Sequence, residues 1–579
     1  MPGHNSRTPS HGEATNRLAA AGIVTTFAIP ILLATIWAFG PGLDNQFLNW
    51  DDDRNFLENP SYHGLGADEV RWAWQTYHMG VWQPLAWFLL SAQYVVGGLS
   101  PRVYHQVSLF LHSLNAVVFF LVTAQILRAA RGTSPHPSST ATYLGAAVAA
   151  LLFAVHPLRV EAVTWISAQP YLPAVLFFTL AVSAYVRAQR AAPPGKTGRR
   201  WLAVSLACYL LAVGFKAVAV TLPAVLLILD VYPLRRWRGV GHGFAGRTLR
   251  LIAEKTPFFV VALFVSIWAA QAKDYNETRV PFHESQPNAR LAQSAYGFAF
   301  YPLKTVAPTG LIPFYKLPHD LGLARWPYAP AAISVAVLTL VLFLTRRRWP
   351  APLAAWTVYG VILFPNVGLL QISQQIAADR YSYLATMPLM ILLAGGLSAS
   401  WSAASAKGPA IRAAILILSA AAAISLGIGS NRQVRIWHDS QSLWSATLRI
   451  DPRCAVAECQ LGQAFVEAQE FEKGIAHFET AIRLEPDFAF AYTNLGAIHL
   501  HQGDLSTALR MYQRALASPY LRETVLAKTH AGIGAVYAGL GQYDLAWKHT
   551  RLARRLGFPE EKIQPMIDAL RKVAPEPED

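Results

Sequence analysis

The sequence predicts an all-α protein in two parts, a polytopic bundle of about eleven membrane-spanning helices followed by a soluble solenoid of helical repeats. Three observations carry this. Hydrophobic residues make up 53% of the 579 residues and charged residues only 14%, against about a quarter in soluble domains, so most of the apolar surface must face lipid. Apolar runs of spanning length recur from residue 19 to residue 430. Beyond them the chain is nearly neutral and repeats with a period of 34 residues.

The formal net charge of +15 suggests an acidic partner until it is mapped. From Arg432 onward there are 17 Lys and Arg against 18 Asp and Glu, and the first 431 residues hold 32 basic and 16 acidic residues. A basic excess confined to loops between apolar runs marks the cytoplasmic side of a membrane and gives no support to nucleic-acid binding. Three cysteines exclude a disulfide scaffold and a CxxC metal module.

The first run, residues 19–40, is too long for a signal-peptide core and no small-residue cleavage site follows, which predicts a retained helix. Further runs lie at 103–127, 142–158, 168–187, 201–217, 219–234, 256–272, 291–310, 329–345, 351–370, 383–401 and 411–430. With a cytoplasmic N-terminus the positive-inside rule holds as far as Lys255. The triplet Arg346, Arg347 and Arg348 breaks it if 291–310 crosses the membrane. That stretch is therefore expected to lie in the interface or to re-enter, leaving eleven spans. The inner loops then hold 20 basic and three acidic residues and the outer side 12 and 13. The expected domains are a cytoplasmic tail 1–18, a membrane domain 19–431 with long outer loops 41–102 and 273–328, a repeat domain 432–574 and a tail 575–579.

In the repeat domain Leu461-Gly462 and Leu495-Gly496 are one period apart, as are Phe478 and Tyr512, and Ala481 and Ala515, with Pro486 closing the first unit. A third unit carries Gly534, Tyr537, Ala546 and Ala553. This is the tetratricopeptide (TPR) signature, in which small residues let paired helices approach and aromatics fill the gap between repeats. Trp437, Leu443, Trp444, Ala446 and Pro452 read as a half-unit capping the array. About three repeats form a concave surface for a partner protein, or a packing module with no ligand.

The ionisable residues near the membrane cluster on the outer face. The first outer loop opens with NWDDDRNFLENP (49–60), where a carboxylate could take the proton of an incoming hydroxyl and a neighbour could tune it; an acidic turn is the alternative. A belt of Trp72, Trp74, Tyr77, Trp82 and Trp87 suits helices lying in the headgroup layer, as anchors or as an entry for a lipid-linked substrate. In HPLRVEAVTWISAQPYLPA (156–174), His156, Arg159 and Glu161 stand at the junction of two spans, where ionisable residues are costly unless used. In QISQQIAADRYSYL (371–384), Arg380 presents a fork that matches phosphate oxygens, with an Asp379–Arg380 pairing or snorkelling as the alternative. The loop 310–328 adds Lys316, His319 and Asp320. No P-loop, Rossmann fingerprint, HExxH or GxSxG occurs. Polar groups gathered at one surface, and not at mid-bilayer, favour an enzyme over a transporter.

These motifs, in order, resemble the transmembrane and tetratricopeptide-repeat O-mannosyltransferases and their bacterial relatives, within the GT-C membrane glycosyltransferases. The resemblance rests on WDDD in the first outer loop, HPLRVEAVTW, KAVAVTLPAVLLILD (216–230), ADRYSYL, and NRQVRIWHDSQSLW leading into the repeats. It implies a GT-C-like bundle and inverting transfer of a sugar, by default mannose, from a polyprenyl-phosphate donor to a hydroxyl acceptor, with protein as the expected acceptor, outside the cytoplasm. The lipid-linked sugar is then a substrate, and neither a cofactor nor a metal site is expected.

By position Asp51 and Asp52 match the paired acids of the first loop, one of them as base. Arg380 matches the arginine after the family's acidic residue and is the candidate for the donor phosphate, with His156, Lys316 and His319 also expected on the donor side. Glu161, in the HPxxxE segment that begins at His156, would orient a sugar hydroxyl or support the aspartates. The chain departs from many relatives after that segment, carrying Gln169 and Tyr171 where they have an Arg-x-Asp pair. That departure sustains an alternative, a catalytically inactive membrane-anchored TPR scaffold. Expected partners are the donor, membrane lipid, and an acceptor or partner protein in the repeat groove. The Ala-, Arg- and Pro-rich usage with no retention signal points to a bacterial plasma membrane before the endoplasmic reticulum, with the repeats on the outer side.

Overall fold

A computed structural model describes residues 11–131, 139–191, 195–238, 244–275, 287–318, 320–369, 375–404, 408–519, 521 and 523–576. The fold is helical almost throughout and divides into two compact units. Met1–Gln46 with Arg54–His438 forms one, and Phe47–Asp53 with Asp439–Asp579 the other.

In the first unit, seven helices among the described residues are long and apolar enough to cross a membrane: Val24–Asp44, Pro101–Arg131, Ile166–Arg190, Thr256–Lys273, Tyr328–Thr345, Met387–Ala404 and Pro409–Ile436. The chain is an integral membrane protein. An eighth candidate is the pair Thr140–Ala154 and Pro157–Thr164, bent by 60°. The bend follows from Pro157, which lacks an N–H and holds its predecessor extended; His156 sits at φ −81°, ψ 133°.

The other three of the eleven expected stretches are helical but shorter or more charged. Lys196–Phe215 opens on Lys196, Arg199 and Arg200 and ends at an extended Lys216, after which Leu222–Val231 is a short helix. Pro350–Leu363 has 14 residues, a rise of about 21 Å against a hydrocarbon core of about 30 Å. The stretch expected to lie in the interface is the helix Pro287–Val306, which is not among the candidate spans and buries Arg290, Gln293 and Ser294.

Two spans, Pro101–Arg131 and Ile166–Arg190, bury most of their surface, and polar groups are among those they bury. Gln169 Nε2 donates to the Tyr104 carbonyl and Ser108 Oγ, both at 2.9 Å, and its Oε1 accepts from Gln93 Nε2 at 2.8 Å. His112 bridges Tyr383 and the Ala154 carbonyl, and Asn115 donates to the Leu172 carbonyl. Small residues permit close approach: a Cβ on Gly145 would lie 2.4 Å from the carbonyl oxygen of Ala394 on the facing helix. At the end of the bundle away from Gln169, Asp230 pairs with Lys255 and Arg236, and Arg236 also pairs with Glu254. Two of the three acids assigned to the inner side are thereby neutralised. In the aromatic belt, Trp74 is half exposed, but Trp87 is fully buried in the helix Pro84–Gly97, packed against Tyr62 and Trp72, and belongs to the core.

The second unit is a stack of helix pairs, Ala455–Glu467 with Phe471–Leu484, Ala489–His501 with Leu505–Leu516, and Glu523–Gly539 with Tyr543–Arg555. Ser440–Ile450 precedes them and Glu560–Val573 closes the array. The periodic residues do the packing: a Cβ on Gly496 would lie 2.7 Å from the Tyr512 ring, and Phe478, Ala481 and Leu495 share one buried cluster. Asp439 and Asp504 cap their helices by accepting the N–H of Ser442 and Thr507. Of the expected capping half-unit, Trp444 is buried in this unit, whereas Trp437 falls in the membrane unit beside Trp165.

Candidate functional site

The membrane unit gathers its site where the 160–171 turns meet the loops that precede Tyr328 and Ser382. The short helix Val160–Thr164 follows the His156–Pro157 bend and carries Glu161. A 3-10 turn, Asp379–Tyr381, carries Arg380. Beside that turn stands a two-stranded antiparallel ribbon in which Tyr315–Lys316 pairs with Gln375–Ala377. Pairing these strands brings Tyr315 and Lys316 alongside the segment that leads into Arg380.

The centre is the contact between Glu161 and Arg380. Glu161 Oε2 accepts the backbone N–H of Arg380 at 2.7 Å, and Oε1 accepts from the guanidinium Nη1. The carboxylate is fully buried and the guanidinium 14% exposed, so the fork keeps an edge toward the outside. Its Cζ lies 5.2 Å from the Trp165 ring centre and 5.0 Å from that of Tyr381, and Nη2 reaches Gln375 Oε1 at 3.4 Å, a weak contact that a phosphate oxygen can displace. Burial pulls the guanidinium pKa down, but the Glu161 carboxylate and the Tyr381 and Tyr171 hydroxyls outweigh it and hold Arg380 above its ordinary value. Removing either partner strands a buried charge, at a cost of about 3–5 kcal/mol.

Asp379 points elsewhere. Its Oδ1 accepts from the Tyr315 hydroxyl at 2.9 Å, so the expected alternative of an Asp379–Arg380 pair gives way to Tyr315–Asp379 and Glu161–Arg380. Burial, with Glu161 nearby, pushes the Asp379 carboxyl well above the usual carboxylate range against the pull of Tyr315, Lys304 and Arg380. Two neighbouring carboxyl groups thus stand in different environments, Glu161 paired with a guanidinium and Asp379 hydrogen-bonded to a phenol.

The remaining expected residues divide. Lys316 is half buried and stands in register with Gln375, the residue that touches Arg380. His319 lies outside the described residues. His156 was expected at the donor phosphate and is instead committed to the backbone: Nδ1 accepts the Leu158 N–H at 3.2 Å and Nε2 donates to the Thr305 carbonyl at 2.9 Å. Both ring nitrogens of this buried, neutral imidazole serve the bend that presents Glu161. Arg159, also buried, braces the next turn by donating to Ser382 and Thr386. At the departure from the family pattern, Gln169 is the hydrogen-bond hub of the bundle. Tyr171 stands between the Arg380–Glu161 pair and Lys216, whose ammonium lies 5.3 Å from its ring centre.

Asp51, Asp52 and Asp53 belong to the other unit, in the segment Phe47–Asp53. Asn49 fastens that segment with all four of its polar groups. Its N–H donates to Ser440 Oγ and its Nδ2 to the Gln460 carbonyl, while its carbonyl accepts from Gln460 Nε2 and its Oδ1 from Trp444 Nε1. Asp52 is fully buried and accepts the Leu48 N–H at 3.1 Å, so it forms the acidic turn. Asp51 is only partly buried and sits at a left-handed φ of 69°, a conformation that Asp tolerates and that recurs at functional sites. No sequence motif marks Tyr315, Gln375 or Trp165 as site residues. Tyr315 adjoins a chosen lysine, but nothing local in the sequence ties it to Asp379.

A family model described as tetratricopeptide repeat matches residues 459–521. Protein O-mannosyl-transferase TMTC3 of Homo sapiens is 21% identical over 508 residues, covering 82% of this chain and 51% of that protein. Protein O-mannosyl-transferase TMTC1 of Homo sapiens is 23% identical over 546 residues, covering 86% and 59%. The chain spans about half the length of the curated relatives it matches. A crystal structure of ArnT from Cupriavidus metallidurans bound to undecaprenyl phosphate is similar over 92% of this chain and 80% of its own, at 13% identity and a TM-score of 0.30, an overlap too low to argue from.

Proposed function

We propose that this chain, a relative of the transmembrane and tetratricopeptide-repeat O-mannosyltransferases, is a membrane glycosyltransferase that moves a sugar from a polyprenyl-phosphate donor to a hydroxyl acceptor on the non-cytoplasmic face. Mannose is the default sugar and protein the default acceptor. The observation that carries the reading is the Glu161–Arg380 contact, a guanidinium fixed by a buried carboxylate between two aromatic rings with one edge toward the outside. A fork held in this way is arranged for a phosphate and needs no reorganisation as charge develops.

In the proposed reaction the acceptor oxygen attacks the anomeric carbon as the bond from that carbon to the phosphate oxygen breaks, with inversion. The electron pair leaves on the polyprenyl phosphate, which Arg380 stabilises, with Lys316 and His319 as helpers. The acceptor needs a base for its proton, the role that the family resemblance gives to Asp51 or Asp52 of the first loop. The repeats recruit the acceptor, in a plasma membrane with the N-terminus cytoplasmic and the repeats on the opposite side.

The test is transfer of labelled sugar from a synthetic polyprenyl-phosphate donor by purified wild type, Asp51→Asn, Asp52→Asn, Glu161→Gln and Arg380→Ala. Losing Arg380 is expected to slow transfer about 100-fold or more. Equal rates in all five proteins would sink the site assignment, and no transfer by wild type from any donor would favour the inactive scaffold.

A further inference from the structure

A cavity lies at the other end of the membrane unit. About 750 Å³ in volume, it opens between the helices Pro101–Arg131, Tyr171–Arg190, Leu222–Val231, Pro350–Leu363 and Met387–Ala404. Its walls are apolar, with Val122, Leu127, Phe178, Leu229 and Ile391 among them, and its volume is within the range of small-molecule sites. Three groups at one end differ in kind: Arg131, Arg348 and Trp349. Arg131 is half buried and held in place, with Nη2 donating to Ser398 Oγ at 2.6 Å and Nη1 to Thr142 Oγ1. Arg348 and Trp349 are exposed at the mouth. Tyr104, the neighbour of Gln169 near the donor site, is 27 residues from Arg131 along one helix, an axial rise of about 40 Å. The cavity and the donor site therefore lie at opposite ends of the bundle.

We propose that this groove binds one anionic phospholipid of the surrounding membrane, its acyl chain in the apolar cavity and its phosphate on Arg131 and Arg348. The charge at this end selects the occupant. Asp230 and Glu254 are already paired with Lys255 and Arg236, so the mouth stays positive, and Trp349 supplies an amphipathic ring of the kind found at headgroup level. The chain makes room by omission: Gly395 and Gly396 line the cavity, and a Cβ on Gly396 would meet nothing within 4 Å. Lipid binding here is independent of sugar transfer.

The experiment reconstitutes the full chain in nanodiscs of equimolar dioleoyl-phosphatidylglycerol and dioleoyl-phosphatidylcholine, extracts it in mild detergent and identifies retained lipid by native mass spectrometry. Wild type is expected to keep phosphatidylglycerol over phosphatidylcholine, and Arg348→Gln to cut that preference about fivefold. Gly396→Leu, whose Cβ has open space and whose side chain would intrude into the cavity, is expected to abolish retention of both lipids while thermal unfolding shows that the protein remains folded. No preference in wild type, full retention by Gly396→Leu, or displacement of phosphatidylglycerol by added polyprenyl phosphate would each overturn the proposal.

Discussion

The spans Ile166–Arg190 and Pro409–Ile436 have opposite fates: 72% of the first one's apolar window is buried in the protein and 11% of the second's, although the second is the more apolar. In a bilayer an apolar side chain gains little by leaving lipid for protein, so polar pairing and small-residue contact decide which helix lies at the centre. Gln169, Thr179 and Ser183 all lie in the first span and are buried. The repeat unit follows the opposite rule. Water surrounds it, and its core is built from Phe478, Leu495, Tyr512 and Trp547, so there burial itself supplies the stability.

Three substitutions would sharpen or break this contrast. The largest effect is expected in the repeats, where Phe478→Ala should cost about 3–5 kcal/mol, read from the urea midpoint of the repeat-unit transition; a loss below about 1 kcal/mol would mean that this core does not depend on its aromatics. In the bundle, Gln169→Leu keeps the volume but strands Gln93, Ser108 and the Tyr104 carbonyl. It should cost about 1–2 kcal/mol by steric-trap unfolding in bicelles, and a gain in stability would show that apolar burial drives the bundle too. The smallest change belongs to Leu418, 70% exposed on Pro409–Ile436. Leu418→Ala should shift stability by less than about 0.5 kcal/mol in the same assay, and a larger loss would place this face against protein.

The repeats were the most legible part of the sequence because their signals are local, with a small residue and its aromatic partner 16 residues apart in Gly462/Phe478 and Gly496/Tyr512. The outer-face motifs located Glu161 and Arg380, but their contact joins residues 219 apart and is fixed by tertiary packing. Tyr315 escaped notice for the same reason. His156 misled in a different way. An ionisable residue between two spans seemed free for ligand, whereas the Pro157 bend leaves a backbone N–H and the chain nearby a carbonyl, and the imidazole satisfies both. Helix count was limited by what a hydropathy window sees: it registers apolarity but not the extended backbone at Lys216 that ends one helix and starts another.

The ribbon of Tyr315–Lys316 and Gln375–Ala377 sets an order of biosynthesis. Its strands are about sixty residues apart, a separation that slows closure far more than it weakens the closed state. Tyr328–Thr345 and Pro350–Leu363 lie between them. A growing chain therefore presents Lys316 before its partner strand exists, and the ribbon closes only after both helices have emerged. Arg380 follows that second strand, so a nascent chain halted at residue 345 already carries Glu161 but not the cation that neutralises it. The Glu161–Arg380 contact is therefore among the last of the membrane unit to be made, and until then the carboxylate waits without its guanidinium.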